Sequence, residues 1–393
     1  MANVSSSNGL EKHPKLRFKG FSEPWEVGTA EELFDNVVDK NHPEETVLTI
    51  IQGQGTLPRD AAGRNIHYDT ESLSGYKRVM KNDYVIHLRS FEGGLEIANS
   101  QGIVSPAYTI LRSKKPCAPL FFDSYFHTDE FINHVLYKAV EGIRDGRQIS
   151  YEAFKWLSIP YCSLEEQTKI AEFLEKLNLR IEKQRTLVEH LKKYKRGVSN
   201  TFFNDKVVAE CSAVLPFGQA VEINPKTKSL PTEFIYIDLE SVESGKLLHE
   251  NIISRDNAPS RAQRVLSKGD VLFQMVRPYQ KNNFYFEAEL SLPSVASTGY
   301  AQIRCDENDP TFVFEQISSD YFANQAMLRS TGTGYPAINS DSLAEIPFIK
   351  LPLSQQKKIG EFLYSLGKRI AREEDVLNRL YDIKSALLRN LFI

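Results

Sequence analysis

A stretch of forty residues occurs twice in this chain. From Leu164 to Phe203 and again from Leu353 to Phe392, thirteen of forty positions are identical at a constant offset of 189 residues. Gln167, Ile170, Glu172, Phe173, Leu174, Leu177, Arg180 and Ile181 return as Gln356, Ile359, Glu361, Phe362, Leu363, Leu366, Arg369 and Ile370. Solenoids repeat every ~20–50 residues. A repeat near half of a 393-residue chain instead predicts two equivalent halves, suited to a ligand that is itself in two parts.

Within each copy the apolar residues alternate spacings of four and three. Ile170, Leu174, Leu177, Ile181, Gln184, Val188, Leu191, Lys195, Val198 and Phe202 form one seam. Ile359, Leu363, Leu366, Ile370, Glu373, Leu377, Leu380, Lys384, Leu387 and Leu391 form the other. Heptad seams of this length predict long helices that pair. Ser163 followed three residues later by Glu166 resembles a capping box at the first start. Run antiparallel with Lys195 facing Glu373, the helices also bring Gln184 to Lys384, and every apolar layer meets an apolar layer. A parallel pairing would set Lys195 on Lys384. The expected register is therefore the antiparallel one, fixed by Gln184, Lys195, Glu373 and Lys384; the alternative is that each helix packs separately on its own globular half.

Ahead of each helix lies a mixed segment of about 140 residues. Lys81-Asn82-Asp83 before Tyr84-Val85-Ile86 matches Lys268-Gly269-Asp270 before Val271-Leu272-Phe273, each a turn leading into a strand. Val104 to Arg112 matches Ala296 to Arg304, and Gly146 to Ser150 matches Tyr335 to Asn339. The fold class expected is α+β: two similar globular domains and two long helices in an antiparallel coiled coil. The boundaries read as domain 14–160, helix 161–204, domain 205–350 and helix 351–393.

Net charge of −3 gives no global field for a polyanion, so any nucleic-acid surface must be local or shared with a partner. The start has no apolar signal core and no stretch approaches a membrane span. The four cysteines lie far apart, which suits reduced thiols in a cytoplasmic protein. Nucleotide loops, zinc-binding H-E-x-x-H and the Pro-Pro-Tyr box that grips a flipped adenine are missing from the sequence. Asp382-Ile383-Lys384 has a nuclease spelling but lies in the helix seam. The expectation is a protein that is not an enzyme.

Binding chemistry is better represented. The first half carries Arg59, Arg64, Lys77, Arg78, Arg89, Arg144 and Arg147 in apparent loops. The second carries Lys226, Lys228, Arg255, Arg261, Arg264, Arg277, Lys281 and Asn282, with Tyr335 nearby. Arginine reads guanine and Asn or Gln reads adenine, while lysine suits phosphate. Arg112 and Arg304, at matching strand ends, read as structural.

These motifs, above all the twice-used Q-x-x-I-x-E-F-L element (preceded by Glu166 in the first copy), resemble the specificity subunits of type I restriction-modification systems over nearly the whole chain. Further support comes from Lys15-Leu16-Arg17-Phe18 through Trp25, and from Ile338-Asn339-Ser340-Asp341-Ser342-Leu343. Two departures stand out: the Leu16–Trp25 motif has no counterpart after Phe203, and the second helix begins Ser354-Gln355-Gln356 where the first has Glu165-Glu166-Gln167.

The resemblance implies that each globular half is a target recognition domain reading one half of a gapped double-stranded DNA site. It implies that the helices space the domains and dock two adenine methyltransferase subunits, with Arg180 and Arg369 as docking candidates, and that restriction subunits join them. S-adenosylmethionine would sit on the methyltransferase, and ATP with Mg on the restriction subunit, leaving no cofactor for this chain. The alternatives are a DNA methyltransferase or nuclease with its own recognition domain, and a coiled-coil adaptor protein. The predicted helix overlap of about 25 residues spans ~38 Å, close to one DNA turn.

Overall fold

In a computed structural model, the described residues are 13–62, 70–142, 147–210, 213–227, 229–287 and 290–393. Arg64, Arg144 and Lys228 lie outside them. The chain divides into two compact units, Met1–Gln184 with Val376–Ile393, and Arg185–Asp375. The long helices run Leu164–Phe202 and Leu353–Leu391, so each unit holds a segment of both.

In the first unit β1 (Glu26–Thr29) pairs antiparallel with β12 (Ser158–Tyr161) just ahead of the first long helix. A four-stranded antiparallel sheet has the order β2 (Phe34–Val37), β9 (Thr109–Ser113), β6 (Tyr84–Ile86), β7 (Glu96–Ile97). The ribbon β3 (Leu48–Ile51)–β4 (Gly55–Pro58) and the pair β5 (Lys77–Val79)–β8 (Gly102–Val104) are linked by a parallel bridge from Val47 to Ile103. A short pair, β10 (Val140–Glu141) and β11 (Gln148–Ile149), precedes β12.

The second unit repeats this plan. β13 (Val214–Pro216) pairs antiparallel with β24 (Pro347–Ile349), again just before a long helix. The order β14 (Glu222–Ile223), β23 (Tyr300–Arg304), β20 (Val271–Gln274), β21 (Phe284–Tyr285) matches the first sheet strand for strand. The order β18 (Asn251–Ser254), β15 (Glu233–Ile237), β22 (Ser294–Ser297), β19 (Ala262–Val265) matches the second, with β15 and β22 parallel. One insertion, the hairpin β16 (Val242–Glu243)–β17 (Lys246–Leu247), falls between β15 and β18.

Small sets of residues explain the repetition. Asn82 and Gly269 occupy the same turn with φ of 74° and 97°, a region open to glycine and tolerated by asparagine. The next residue in each, Asp83 and Asp270, is a buried carboxylate. Asp83 accepts from Met80 N (2.8 Å) and from Arg112 Nε (2.8 Å) and Nη2 (2.6 Å). Asp270 accepts from Ser267 N (2.7 Å) and from Arg304 Nε (3.1 Å) and Nη2 (3.0 Å). The two matched arginines are thus structural clamps tying a turn to the neighbouring strand.

The repeated glutamine has an equally specific task. Gln167 is buried, accepts from Ala118 N (3.1 Å) and donates to Cys162 O (2.8 Å), which ties the long helix to the start of helix Pro119–Phe126. Gln356 accepts from Asp309 N (2.9 Å) and donates to Leu351 O (2.7 Å) and Asn308 Oδ1 (2.8 Å), at the start of helix Pro310–Ile317. A buried amide with its hydrogen bonds filled fixes a contact that apolar packing alone would let slide.

The two departures from the repeat have one cause. Arg17, within the N-terminal motif, forms a two-bonded ion pair with Glu166, Nε to Oε1 and Nη2 to Oε2 both at 2.8 Å. The second half has no such arginine, and glutamine replaces the glutamate at Gln355. Ser163 does cap the helix through Glu166 N (3.3 Å), but the Glu166 carboxylate turns to Arg17 instead of closing the capping box.

The ends of both long helices pack into the cores of the units, through seam residues and their neighbours. In the first unit Ile170, Leu174, Leu391 and Phe392 share a core with Trp25, Phe121 and Tyr125. In the second, Phe203, Phe312, Phe348 and Leu363 share another. The helix segments of the second unit run antiparallel: Lys192 Nζ meets Glu374 Oε1 at 2.7 Å, while a Cβ on Gly367 would lie 2.8 Å from Lys195 Nζ.

The expected pairing of Lys195 with Glu373 is corrected here. Lys195 bonds Glu315 Oε1 at 2.8 Å, and Glu315 comes from the globular part of the unit. Lys192–Glu374 is an ion pair between the two helices. Gln184 is buried, and Lys384 is half-buried near Asp123, its ammonium pKa lowered by burial against the opposing pull of that carboxylate.

Candidate nucleic-acid interface

In each unit the loop after the matched strand β6 or β20 meets the segment preceding β12 or β24. Both junctions stack an arginine on an aromatic ring. In the second unit Arg277 lies 4.2 Å from the centroid of Tyr335, which is 71% exposed. In the first, Arg147 lies 4.3 Å from the centroid of Phe91. The polarity is reversed: the post-strand loop gives the arginine in one unit and the ring in the other.

The second junction is strained into place. Arg277 and Lys281 both have φ of 54° and bracket the turn Pro278–Gln280. Side chains other than glycine rarely adopt this region, and it costs on the order of 1–2 kcal/mol per residue. Arg277 N donates to Pro336 O at 2.7 Å, and Val276 bridges Ala337, so the two loops are zipped together. Arg277 Nε is buried without a hydrogen-bond partner.

Several of the other expected residues are committed to partners within the protein. Lys77 Nζ donates to Tyr108 O (2.5 Å), and burial lowers its pKa. Arg78 pairs with Glu45 (2.7 Å) and lies 3.8 Å from Asp39. Lys281, expected as a phosphate contact, is instead held by Asp320, which also pairs with Arg196 at 2.7 Å. Asn282 Oδ1 accepts from Ser244 N (3.2 Å), and its own N–H donates to Gln274 Oε1 (3.0 Å). Arg255 caps the carbonyls of Leu230 and Pro231.

Lys226 and Arg261 are exposed; Arg59 is half-buried at the end of β4. Arg89 is exposed and paired with Glu92 (2.6 Å). Arg264 is half-buried, its pKa lowered by burial, and its Nε is without a partner. Arg180 and Arg369 stand exposed at matching helix positions.

Sequence reasoning missed Gln52 and Gln54, both exposed on the β3–β4 turn. The long-range signal was out of reach: the turn is anchored by Glu96, more than forty residues away.

For metals, His42, Glu44 and Glu45 bring ligand atoms within 4.8 Å of one another among the described residues. Glu45 is already engaged by Arg78 and Gln101, and His42 by Asp39. No helix among the described residues is long and apolar enough to cross a membrane.

No protein-family model matches the chain. Over 165 residues, 40% of the chain, it is 27% identical to the specificity subunit of the type I restriction enzyme HindI of Haemophilus influenzae. That match spans only 35% of the relative's length. Over 317 residues, 74% of both proteins, it is 23% identical to the MjaVIII type I specificity subunit of Methanocaldococcus jannaschii. The S subunit of a type I restriction-modification system from M. genitalium has the same fold, with a TM-score of 0.61, 18% identity and coverage of 97% of this chain and 99% of that one. A chain from a structure on complex assembly and conformational transition of the type I system gives a TM-score of 0.50 at 16% identity, over 94% and 97%. The curated homologues are thus type I restriction enzyme specificity subunits.

Proposed function

We propose that this chain, whose homologues are type I specificity subunits, is itself a non-catalytic DNA-specificity subunit. One observation carries the reading: two units share both sheets, the same carboxylate–arginine clamp and the same glutamine bolt, yet differ in their exposed loops. A common scaffold with divergent loops is what two recognition tasks on one architecture require. Each unit would read one half of a bipartite, gapped target through its arginine–aromatic junction and nearby loops. The repeat helices, with Arg180 and Arg369, would dock two adenine methyltransferase subunits, and restriction subunits would join that core. S-adenosylmethionine would then belong to the methyltransferase, and ATP with Mg to the restriction subunit.

The test is co-expression with the cognate methyltransferase in a host free of adenine methylation, followed by genome-wide mapping of N6-methyladenine. A two-part motif separated by unread bases is expected. A continuous motif, or tight S-adenosylmethionine binding by the isolated chain, overturns the reading.

A further inference from the structure

Residues 52–54 close the β3–β4 ribbon, and buried groups beneath them fix where they stand. Glu96, 1% exposed, accepts from Gly53 N (2.6 Å) through one carboxylate oxygen and from Gly55 N (2.9 Å) through the other. His127 Nε2 lies 3.2 Å from the same carboxylate, and its Nδ1 lies 2.7 Å from Asp123 O. Asn99 Nδ2 donates to Gln54 O (2.7 Å) and Thr56 O (3.0 Å). Gly53 and Gly55 have φ of 74° and 76°, and a Cβ on Gly55 would lie 2.5 Å from Ile97 O.

A buried carboxylate is costly unless its bonds are filled. Here those bonds go largely to the backbone of a solvent-exposed turn. The result is a rigid tip that offers Gln52, the Gly53 backbone and Gln54 to solvent. Gln52 lies over Gly93, where any Cβ would collide with its amide, in the same loop that holds Phe91 under Arg147. The carboxylate faces His127 and not the surface, so the tip presents no anionic charge to a phosphate backbone.

We propose that the β3–β4 tip reads base edges in the half-site of the first unit, with Gln52 and Gln54 as specificity-determining residues and Glu96 and His127 as positioning residues. This rests on the DNA-specificity reading above. A two-stranded β-ribbon fits the major groove, and a glutamine amide matches the paired donor and acceptor of adenine N6/N7. Among the described residues the second unit has no equivalent tip. Its β15–β18 connection is lengthened by the β16–β17 hairpin, and Lys246 there turns to Ala371 O (3.2 Å) and Asp375 (3.1 Å) on the second long helix. The effect therefore belongs to one half-site only.

The full chain is co-expressed with its methyltransferase as wild type, Gln52→Ala, Gln54→Ala and Glu96→Gln, and methylated adenines are mapped. The glutamine variants are expected to lose about tenfold or more discrimination at one position of one half-site, the other half-site staying intact. Glu96→Gln should relax the same positions; a purely structural role would lower methylation evenly at all sites. Should Glu96→Gln fail to fold, the two surface variants carry the test. A two-part wild-type motif left unchanged by both glutamine variants overturns this inference alone. A wild-type map without any two-part motif removes the specificity reading itself.

Discussion

The two units keep one buried carboxylate–arginine clamp and one buried glutamine, and differ in their exposed loops. Asp83–Arg112 recurs as Asp270–Arg304, and Gln167 recurs as Gln356, each holding the same elements together. By contrast, the arginine–aromatic stack reverses its polarity, and a three-residue turn in one unit becomes a hairpin insertion in the other. A buried charge left without its partner is destabilising by several kcal/mol, whereas an exposed side chain can change at little cost. Divergence is therefore channelled to the loops, where a new ligand contact can be acquired without loss of the fold.

The largest expected effect tests the shared clamp. Asp270→Ala strands Arg304 and removes a partner of Gln302 Nε2, which lies 2.7 Å from the carboxylate. A loss of about 3–5 kcal/mol is expected. Asp83→Ala, with no such third side chain among the described contacts, should cost less. Denaturant unfolding of the two variants checks the order; equal losses would break the comparison.

The next effect should appear in the first unit alone. Burial opposes protonation of His127, but the bond to Glu96 and the nearby Asp123 outweigh it and lift the imidazole to about 9. Its contribution is fully present below the ordinary histidine range and is lost as pH rises through about 9. Asp123 is raised to about 6, chiefly by burial, so its contribution fades earlier, between the usual aspartate range and pH 6. Stability lost between pH 6.5 and 9 should be on the order of 1–3 kcal/mol. Thermal melts of wild type and His127→Gln should converge at high pH; parallel curves would refute the assignment.

The reversed stacks make a specificity prediction. Arg277→Ala should relax one half-site by about 1–3 kcal/mol of discrimination, and Arg147→Ala should relax the other. Methylation maps of the two variants decide it, since both falling on one half-site would contradict one reader per unit. The smallest effect concerns the helices. Exchange of Lys192 and Glu374 should change stability by less than about 1 kcal/mol, because the lysine is solvent-exposed. Lys195→Ala should cost more, since it strands the buried Glu315; equal values in unfolding experiments would restore a seam role for Lys195.

Much of the scaffold was legible because its signals are local or periodic. The heptads predicted two helices, found at Leu164–Phe202 and Leu353–Leu391. Lys81-Asn82-Asp83 and Lys268-Gly269-Asp270 announced the same turn, since few residues other than Asn and Gly accept its backbone angle. The candidate interface was half legible. Arg277 and Tyr335 were both singled out, but their stacking joins residues almost sixty positions apart.

What the sequence determined by itself was the duplication and the helical pattern, because spacing along one chain encodes which face is apolar. Only the tertiary structure decided which charges remain available to a ligand. Matching the two seams against each other sets Lys195 on Glu373, whereas the globular part supplies Glu315, 120 residues away, as its partner. Lys281 and Arg78 were absorbed in the same manner, by Asp320 and Glu45. Pairing energies depend on distance in space, and spacing in sequence carries no record of them once the chain has folded back on itself.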